Sequence, residues 1–77
     1  MNIIVHVKHR VIPVAIGSGS QPVQWLANVG LARFDDTQGR ALGKPKGVKL
    51  EDGATISMSK TIIEAGLSDG QHVWIFF

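Results

Sequence analysis

The side chains in this chain that could bind a metal or transfer a proton are three histidines. His6 and His72 lie in two segments with strand-like patterns that we expect to be neighbours, and His9 lies near a turn. A protein zinc site needs three or four sulfur, nitrogen or carboxylate ligands. The chain has no cysteine, and no carboxylate is expected beside the two strand histidines. Since exposed strand histidines are far commoner than ligands, we predict no metal site and no cofactor.

Motifs for nucleophilic catalysis and phosphate binding are missing from the sequence. The serines occur in turn-like segments, and none lies in the G-x-S-x-G elbow of a hydrolase. Residues 39–47, GRALGKPKG, resemble a phosphate loop, which requires GxxxxGK followed by Ser or Thr. Gly39 stands one residue too close to the second glycine, and Pro45 follows the lysine. We therefore predict that the chain is not an enzyme.

Length and composition indicate one small domain in a reducing compartment. The chain has 77 residues, of which 44% are hydrophobic, and this leaves room for one core. It has no cysteine for a disulfide and no run of about 20 apolar residues for a membrane span. The formal net charge of +2 gives only mild attraction to acidic partners. We predict a single cytoplasmic domain over residues 1–77, either by itself or as the N-terminal domain of a longer protein.

Residues 1–16 have the pattern of a β-hairpin. Apolar residues occupy alternate positions in both halves, which is the period of half-buried strands. The turn between the halves is predicted at His9 and Arg10. Pro13 cannot donate a sheet hydrogen bond, so the second strand is predicted to lie at a sheet edge.

An amphipathic helix is predicted after the hairpin. Gly17–Ser20 breaks the strand pattern and offers residues for the helix N-cap. The apolar residues that follow at helical spacing are Val23, Leu26, Ala27, Gly30, Leu31 and Phe34. Gly30 costs roughly 1 kcal/mol of helix propensity relative to alanine, which a close approach of helix to sheet would explain. Trp25 lies opposite this stripe, and we favour the interpretation that its indole folds along the helix surface.

The second half of the chain begins with a loop and ends with three short strands. Residues 35–47 are polar and basic and contain three glycines and a proline, as is typical of a loop. Residues 48–56 predict a hairpin that turns at Glu51-Asp52-Gly53. Residues 60–65 predict a helical turn that Gly66 ends, and residues 72–77 predict the last strand.

The C-terminal third of the sequence resembles ubiquitin-like domains. Leu50–Gly53, LEDG, followed by Thr55-Ile56-Ser57, is similar to the same turn in ubiquitin, and residues 64–75, EAGLSDGQHVWI, resemble the closing segment of many ubiquitin-like domains. The resemblance implies an α+β fold of the β-grasp type, in the order β-β-α-β-β, with one helix packed on one face of a mixed sheet. In that fold the second strand is an edge strand and the first strand pairs with the last. The conjugated members of the family end in Gly-Gly, whereas this sequence ends in Phe77, so we expect a non-conjugating type.

Alternation in the first and last strands predicts an exposed apolar surface. If Val73, Ile75 and Phe77 point towards the helix, the side chains between them point away from it. One helix covers only one face of a sheet, so the other face would be open to a partner. The residues that we expect to bind protein there are Ile4, His6, Trp74 and Phe76, with Lys8 and Arg10 at the rim. In the ubiquitin family the corresponding outward face is the main recognition surface.

These patterns favour a non-enzymatic protein-binding or assembly (scaffold) module, and two other functions stay open. Self-association through the same face would use the same residues. The chain is also similar to small ubiquitin-like proteins of bacterial secretion systems and toluene monooxygenases, which implies an accessory subunit as one alternative. Pro45–Val48, PKGV, resembles a segment of doublecortin-type modules. Microtubule or nucleic-acid binding through the basic residues is therefore the other alternative, and we consider a solvated basic loop the better interpretation.

Overall fold

In the computed structural model, residues 1–34 and 44–77 are described, and they form an α+β fold. Within these residues there is one helix and one sheet of five strands. The elements in chain order are β1 (Asn2–Val7), β2 (Arg10–Ala15), α1 (Val23–Phe34), β3 (Gly47–Lys49), β4 (Thr55–Ile56) and β5 (His72–Phe76). The strand order across the sheet is β2-β1-β5-β3-β4. The sheet is mixed, because β1 and β5 pair in parallel and every other pair is antiparallel.

The first hairpin turns one residue earlier than predicted. Val7 pairs with Arg10, so the loop consists of Lys8 and His9, and the prediction that the chain turns at His9 and Arg10 is wrong. Lys8 has a φ of 55°, the positive value that two-residue hairpin loops require. Glycine and asparagine usually mark such a loop, and neither occurs here.

The position of β2 at the sheet edge is confirmed, and the edge is protected against further pairing. The backbones of Met1 and Ile16 exchange two hydrogen bonds, so alternation directs the backbone groups of Pro13 away from β1. Pro13 has no N–H, and its carbonyl oxygen accepts a hydrogen bond of 3.0 Å from Nη1 of Arg33. Another strand would therefore pair poorly with this edge.

The predicted apolar stripe of α1 is confirmed as its buried side. Five of its six residues are buried, and Phe34 is half-buried. The first N–H groups of the helix bond to distant carbonyls: Val23 donates to Lys60 at 2.8 Å, and Gln24 donates to Met58 at 3.0 Å. The serines predicted as N-caps do not serve this end, since the hydroxyls of Ser18 and Ser20 bond to each other.

Gly30 lies where the helix comes very close to the sheet, which is the explanation offered above for a glycine in the stripe. A Cβ atom at this position would lie 2.7 Å from Cγ1 of Val5 and 3.1 Å from Cδ1 of Ile75. Both are buried core atoms, so a larger side chain would force the helix and the sheet apart.

Replacing Gly30 with valine is therefore expected to lower the free energy of unfolding by about 1–3 kcal/mol through overpacking. The control is Ala32→Val, at an exposed position of the same helix. It introduces a β-branched residue without the clash and should cost about 0.5 kcal/mol or less. Urea unfolding of the two variants measures both values. Equal losses at the two positions would show that helix and sheet are not in close contact at Gly30.

The segment between β4 and β5 contributes core residues without forming a regular helix. The hydroxyl of Thr61 accepts a hydrogen bond from the backbone of Glu64, whose carboxylate accepts one from the backbone of Thr61. This reciprocal pair begins a single helical turn, and Gly66 ends it with a φ of 75°. Ile62 is fully buried and Leu67 nearly so, which confirms that Leu67 fills the core.

The core is one cluster that joins all these elements. Its largest fully buried side chains are Ile3, Leu26, Ile62, Val5, Val7, Val14, Val23, Val48 and Val73. Because the residues from β1 and β5 in this cluster are those at alternate positions, the residues between them face the opposite side of the sheet. Among residues 1–34 and 44–77, no helix is long and apolar enough to cross a membrane.

Candidate functional site

The side of the sheet opposite the core carries the residues expected to bind a partner. On β1, Ile4 and His6 are half-buried between fully buried neighbours. On β5, Trp74 and Phe76 are half-buried on either side of the buried Ile75. We call the outward side chains of the sheet the open face. They include Val11 and Pro13 on β2, Ile4 and His6 on β1, His72, Trp74 and Phe76 on β5, and Lys49 on β3, and the small side chains of Ala15 and Thr55 also face this side.

Strand register places four of these residues in one continuous row. His6 lies between Val11 of β2 and Trp74 of β5, and Trp74 in turn lies beside Lys49 of β3. Val11 is 56% exposed, one of the most exposed large apolar side chains. The sequence placed Val11 on the outward side of its strand but did not indicate that it extends the surface, because register across strands is a tertiary property.

The two strand histidines form a hydrogen-bonded pair in the middle of this face. Nε2 of His6 lies 2.7 Å from Nδ1 of His72, so one nitrogen carries the proton and the other accepts it. The His6 ring also stacks on Trp74, with ring centroids 4.3 Å apart and an angle of 14° between the planes. Burial, and secondarily the charge of His72, lower the pKa of His6 below its usual 6.5. If both rings were protonated, two N–H groups would point at each other and the bond would be lost.

This lowered pKa predicts a loss of stability in mild acid. Between the pKa of folded His6 and the unfolded value of 6.5, the unfolded chain binds more protons, so stability falls as the pH decreases through this window. The urea midpoint of the wild type is expected to fall between about pH 7.5 and pH 5. His6→Gln should show a smaller fall over the same range. Identical pH profiles for the two proteins would show that the His6 proton is not linked to folding.

The Phe76 ring lies over Gly47 at one end of the open face. A Cβ atom at Gly47 would lie 2.6 Å from Cζ of the Phe76 ring, so the ring covers the space that glycine leaves free. Nζ of Lys49 lies 4.8 Å from the centre of the same ring, within the range of a cation–π contact. Phe76 is thereby held between a strand backbone and a cation, with part of its surface in solvent.

Lys8 and Arg10 do not lie on the rim of the open face, which corrects the prediction from sequence. Nη1 of Arg10 donates to the carbonyl oxygen of Phe34 at 3.3 Å, at the end of the helix on the other side of the sheet. Nζ of Lys8 lies 5.2 Å from the ring of Phe77, which packs against the core. The predicted turn was one residue late, and this displaced Arg10 to the wrong side. Among residues 1–34 and 44–77, Lys49 is the lysine or arginine that lies on the open face.

Other candidates from the sequence contribute little to a site. The indole of Trp25 is half-buried and packs against the core, in line with the favoured interpretation. Lys44 and Lys46 are exposed, whereas Arg40 and the central part of the predicted basic loop lie outside the described residues. Within the described residues no group of three or more His, Cys, Asp or Glu side chains could hold a metal ion.

The chemistry of the open face is the basis for a functional proposal, because the comparisons with family models and with curated proteins do not supply one. No family model matches the sequence, and no curated protein matches it. The open face combines exposed aromatic and aliphatic surface with hydrogen-bonding imidazoles and one ammonium group. Surfaces of this composition bind by burying apolar area around aromatic side chains.

Proposed function

We propose that this protein is a non-enzymatic protein-binding or assembly module that docks its partner on the open face. The observation that carries the proposal is the row from Val11 through His6 and Trp74 to Lys49. Ile4 and Pro13 lie on one side of this row, and Phe76 lies on the other. A monomeric protein rarely exposes a contiguous apolar patch of this kind unless another molecule covers it. Trp74 is the expected centre of the interface because tryptophan is enriched among residues that dominate binding energy.

Neither edge of the sheet is well suited to pairing with a strand of a partner, which favours docking on the open face. At β2, Pro13 and Arg33 leave few backbone groups for an added strand. At the other edge, β4 contains only the two residues Thr55 and Ile56. Strand addition needs a long edge with unpaired backbone groups, so a partner gains more from the open face than from either edge.

We further propose that the domain is a ubiquitin-like β-grasp domain that acts in the cytoplasm. Two features expected of that fold support the assignment: β2 is an edge strand, and β1 pairs with β5. The Leu50–Gly53 turn adds support, since Gly53 has a φ of 88° and its N–H donates to the carbonyl of Leu50 at 2.9 Å. The absence of cysteine fits a reducing compartment.

Site-specific photo-cross-linking in the source cells tests the proposed function. A benzophenone amino acid replaces Val11 on the open face, and in a matched protein it replaces Ile63, which is 61% exposed outside the sheet. We expect position 11 to cross-link to a defined protein, identified by mass spectrometry, whose purified form binds the wild type in solution. The same cross-link should disappear when Trp74 is also replaced with alanine.

Three outcomes of this experiment contradict the proposal. They are the absence of any product at position 11, the same products at positions 11 and 63, and a product that persists without Trp74. A product whose mass is that of two copies of this chain, together with a dimer in sedimentation velocity, would assign the face to self-association instead of to another protein.

A further inference from the structure

The charged residues of the sheet are distributed unequally between its two ends. Because β1 and β5 are parallel and β3 runs antiparallel to β5, the last residues of β1 and β5 lie beside the first residues of β3. This end carries Lys8, Arg10 and Lys46, and the backbone N–H of Lys46 donates to the carbonyl of Phe76 at 2.8 Å. Among the described residues, therefore, the end of the sheet that contains Phe76 is basic.

Three of the four acidic side chains in the described residues lie at the opposite end of the sheet. Glu51 and Asp52 lie in the turn between β3 and β4, and Oδ1 of Asp69 accepts a hydrogen bond of 2.7 Å from the backbone of Asn2. The amino group of Met1 lies at the same end and donates to the carbonyl of Ile16. Asp69 and the Glu51-Asp52 turn lie away from Phe76, although Glu51 follows Lys49 by only two residues.

The two large rings of the open face, Trp74 and Phe76, both lie beside Lys49. Trp74 is the cross-strand neighbour of Lys49, and the Lys49 ammonium lies over the ring of Phe76. Strands β3, β4 and β5 carry no carboxylate beside Lys49, and Glu51 follows it by two residues in the exposed turn. A cation–π contact occupies one side of an ammonium group and leaves N–H donors for another acceptor.

We propose that the open face binds a protein segment that presents apolar side chains to Trp74 and Phe76 and a carboxylate to Lys49. This inference rests on the proposed function and specifies its partner. Interfaces pair potentials of opposite sign, which excludes wrong partners and fixes the orientation of the right one. A second copy of this chain fits less well, because its own open face would bring a lysine and no described carboxylate to the contact.

A nucleic acid would also offer negative charge, and the composition of the face favours protein over it. The half of the face away from Lys49 is formed by Val11, Pro13 and Ile4, which have no basic group to track a phosphate backbone. One side of the Trp74 indole is occupied by the His6 ring. Aliphatic side chains of a partner would cover this half with little loss of hydration.

Selection from a yeast-displayed library of random twelve-residue peptides tests the inference without a known partner. The library is selected on the wild type and counter-selected on Trp74→Ala, at about pH 7.5, where histidine is neutral, and at an ionic strength of about 0.15 M. We expect the selected peptides to combine large apolar residues with Asp or Glu. Selection on Lys49→Glu is expected to yield Lys or Arg in place of those acidic residues.

Calorimetry with one synthetic selected peptide measures how much each lysine substitution changes the dissociation constant. The dissociation constant is expected to rise about tenfold for Lys49→Glu, because attraction at an exposed site is replaced by repulsion. Lys60→Glu makes the same charge change at an exposed lysine outside the sheet and should have almost no effect. Lys49→Met, which keeps most of the apolar stem, should fall between the two.

Each alternative result of the selection or the calorimetry would contradict either the partner chemistry or the proposed function. The selected peptides could depend on Trp74 but be neutral or basic, or Lys49→Glu and Lys60→Glu could bind a peptide equally well. Either result would show that the partner does not present a carboxylate to Lys49, and the proposed function would stand. If no selected peptide depends on Trp74, the proposed function itself fails. If an oligothymidine binds more tightly than the selected peptide and loses affinity with Lys49→Glu, the face binds nucleic acid and the inference is overturned.

Discussion

Replacing Trp74 with alanine is expected to weaken partner binding by about 2 kcal/mol or more, which is roughly a thirtyfold rise in the dissociation constant. The indole is half-buried in the free protein and lies between His6 and Lys49 in the middle of the row across the sheet. A partner that covers it removes its remaining surface from water, and alanine offers little surface for this purpose. Calorimetry with the cross-linked partner, or with a selected peptide, measures the change.

The matched control for this variant is Ile63→Ala, which removes exposed apolar surface outside the sheet. Ile63→Ala should leave the dissociation constant unchanged, and both variants should keep the circular dichroism spectrum of the wild type. Two results would contradict the account. Unfolding of Trp74→Ala would show that the indole belongs to the core, and an unchanged affinity would show that the partner binds elsewhere.

Replacing Ile62 with alanine is expected to lower the free energy of unfolding by about 2–5 kcal/mol, through lost burial and the cavity that remains. Domains of this size are stable by roughly 4–12 kcal/mol, so the loss is a large part of the total. Ile62 is fully buried although it lies in a segment with no regular helix or strand. Its N–H donates to the carbonyl of Gln21 at 2.9 Å, which holds the segment against the start of the helix.

The neighbouring residue provides a control of the same type. Ile63→Ala removes the same atoms one position further along the chain, where the side chain is 61% exposed, and should cost about 0.5 kcal/mol or less. Urea unfolding of the two variants measures the difference between them. If both cost the same, the segment between β4 and β5 does not contribute to the core in the way described.

Periodicity in the sequence was sufficient to predict which residues of the regular elements are buried. Apart from Met1, which is exposed, the alternation in residues 1–16 separated buried from outward side chains correctly, and Pro13 correctly marked an edge strand. The helical stripe identified the buried side of α1 and the close approach at Gly30. These features are local consequences of a period of two or 3.6 residues, so a single sequence contains them.

Features that depend on contacts between distant segments could not be predicted in the same way. Helical N–H groups bond to carbonyls of Met58 and Lys60, more than thirty residues along the chain, and no local signal marks those acceptors. The hairpin loop at Lys8 lacks the usual glycine or asparagine, so Arg10 was assigned to the wrong side of the sheet. Lys49 lies just after the predicted loop, and only the register across strands shows that it is the neighbour of Trp74.

The central claim is that the Trp74 indole is accessible on an open sheet face in the free monomer. Acrylamide quenching of a Trp25→Phe variant, in which Trp74 is the remaining tryptophan, tests this most directly when sedimentation velocity has established that the sample is monomeric. We expect efficient quenching in the free protein and strong protection when a selected peptide is bound. An indole that is shielded from acrylamide in the free monomer would contradict the account, since no docking surface would then exist at this position.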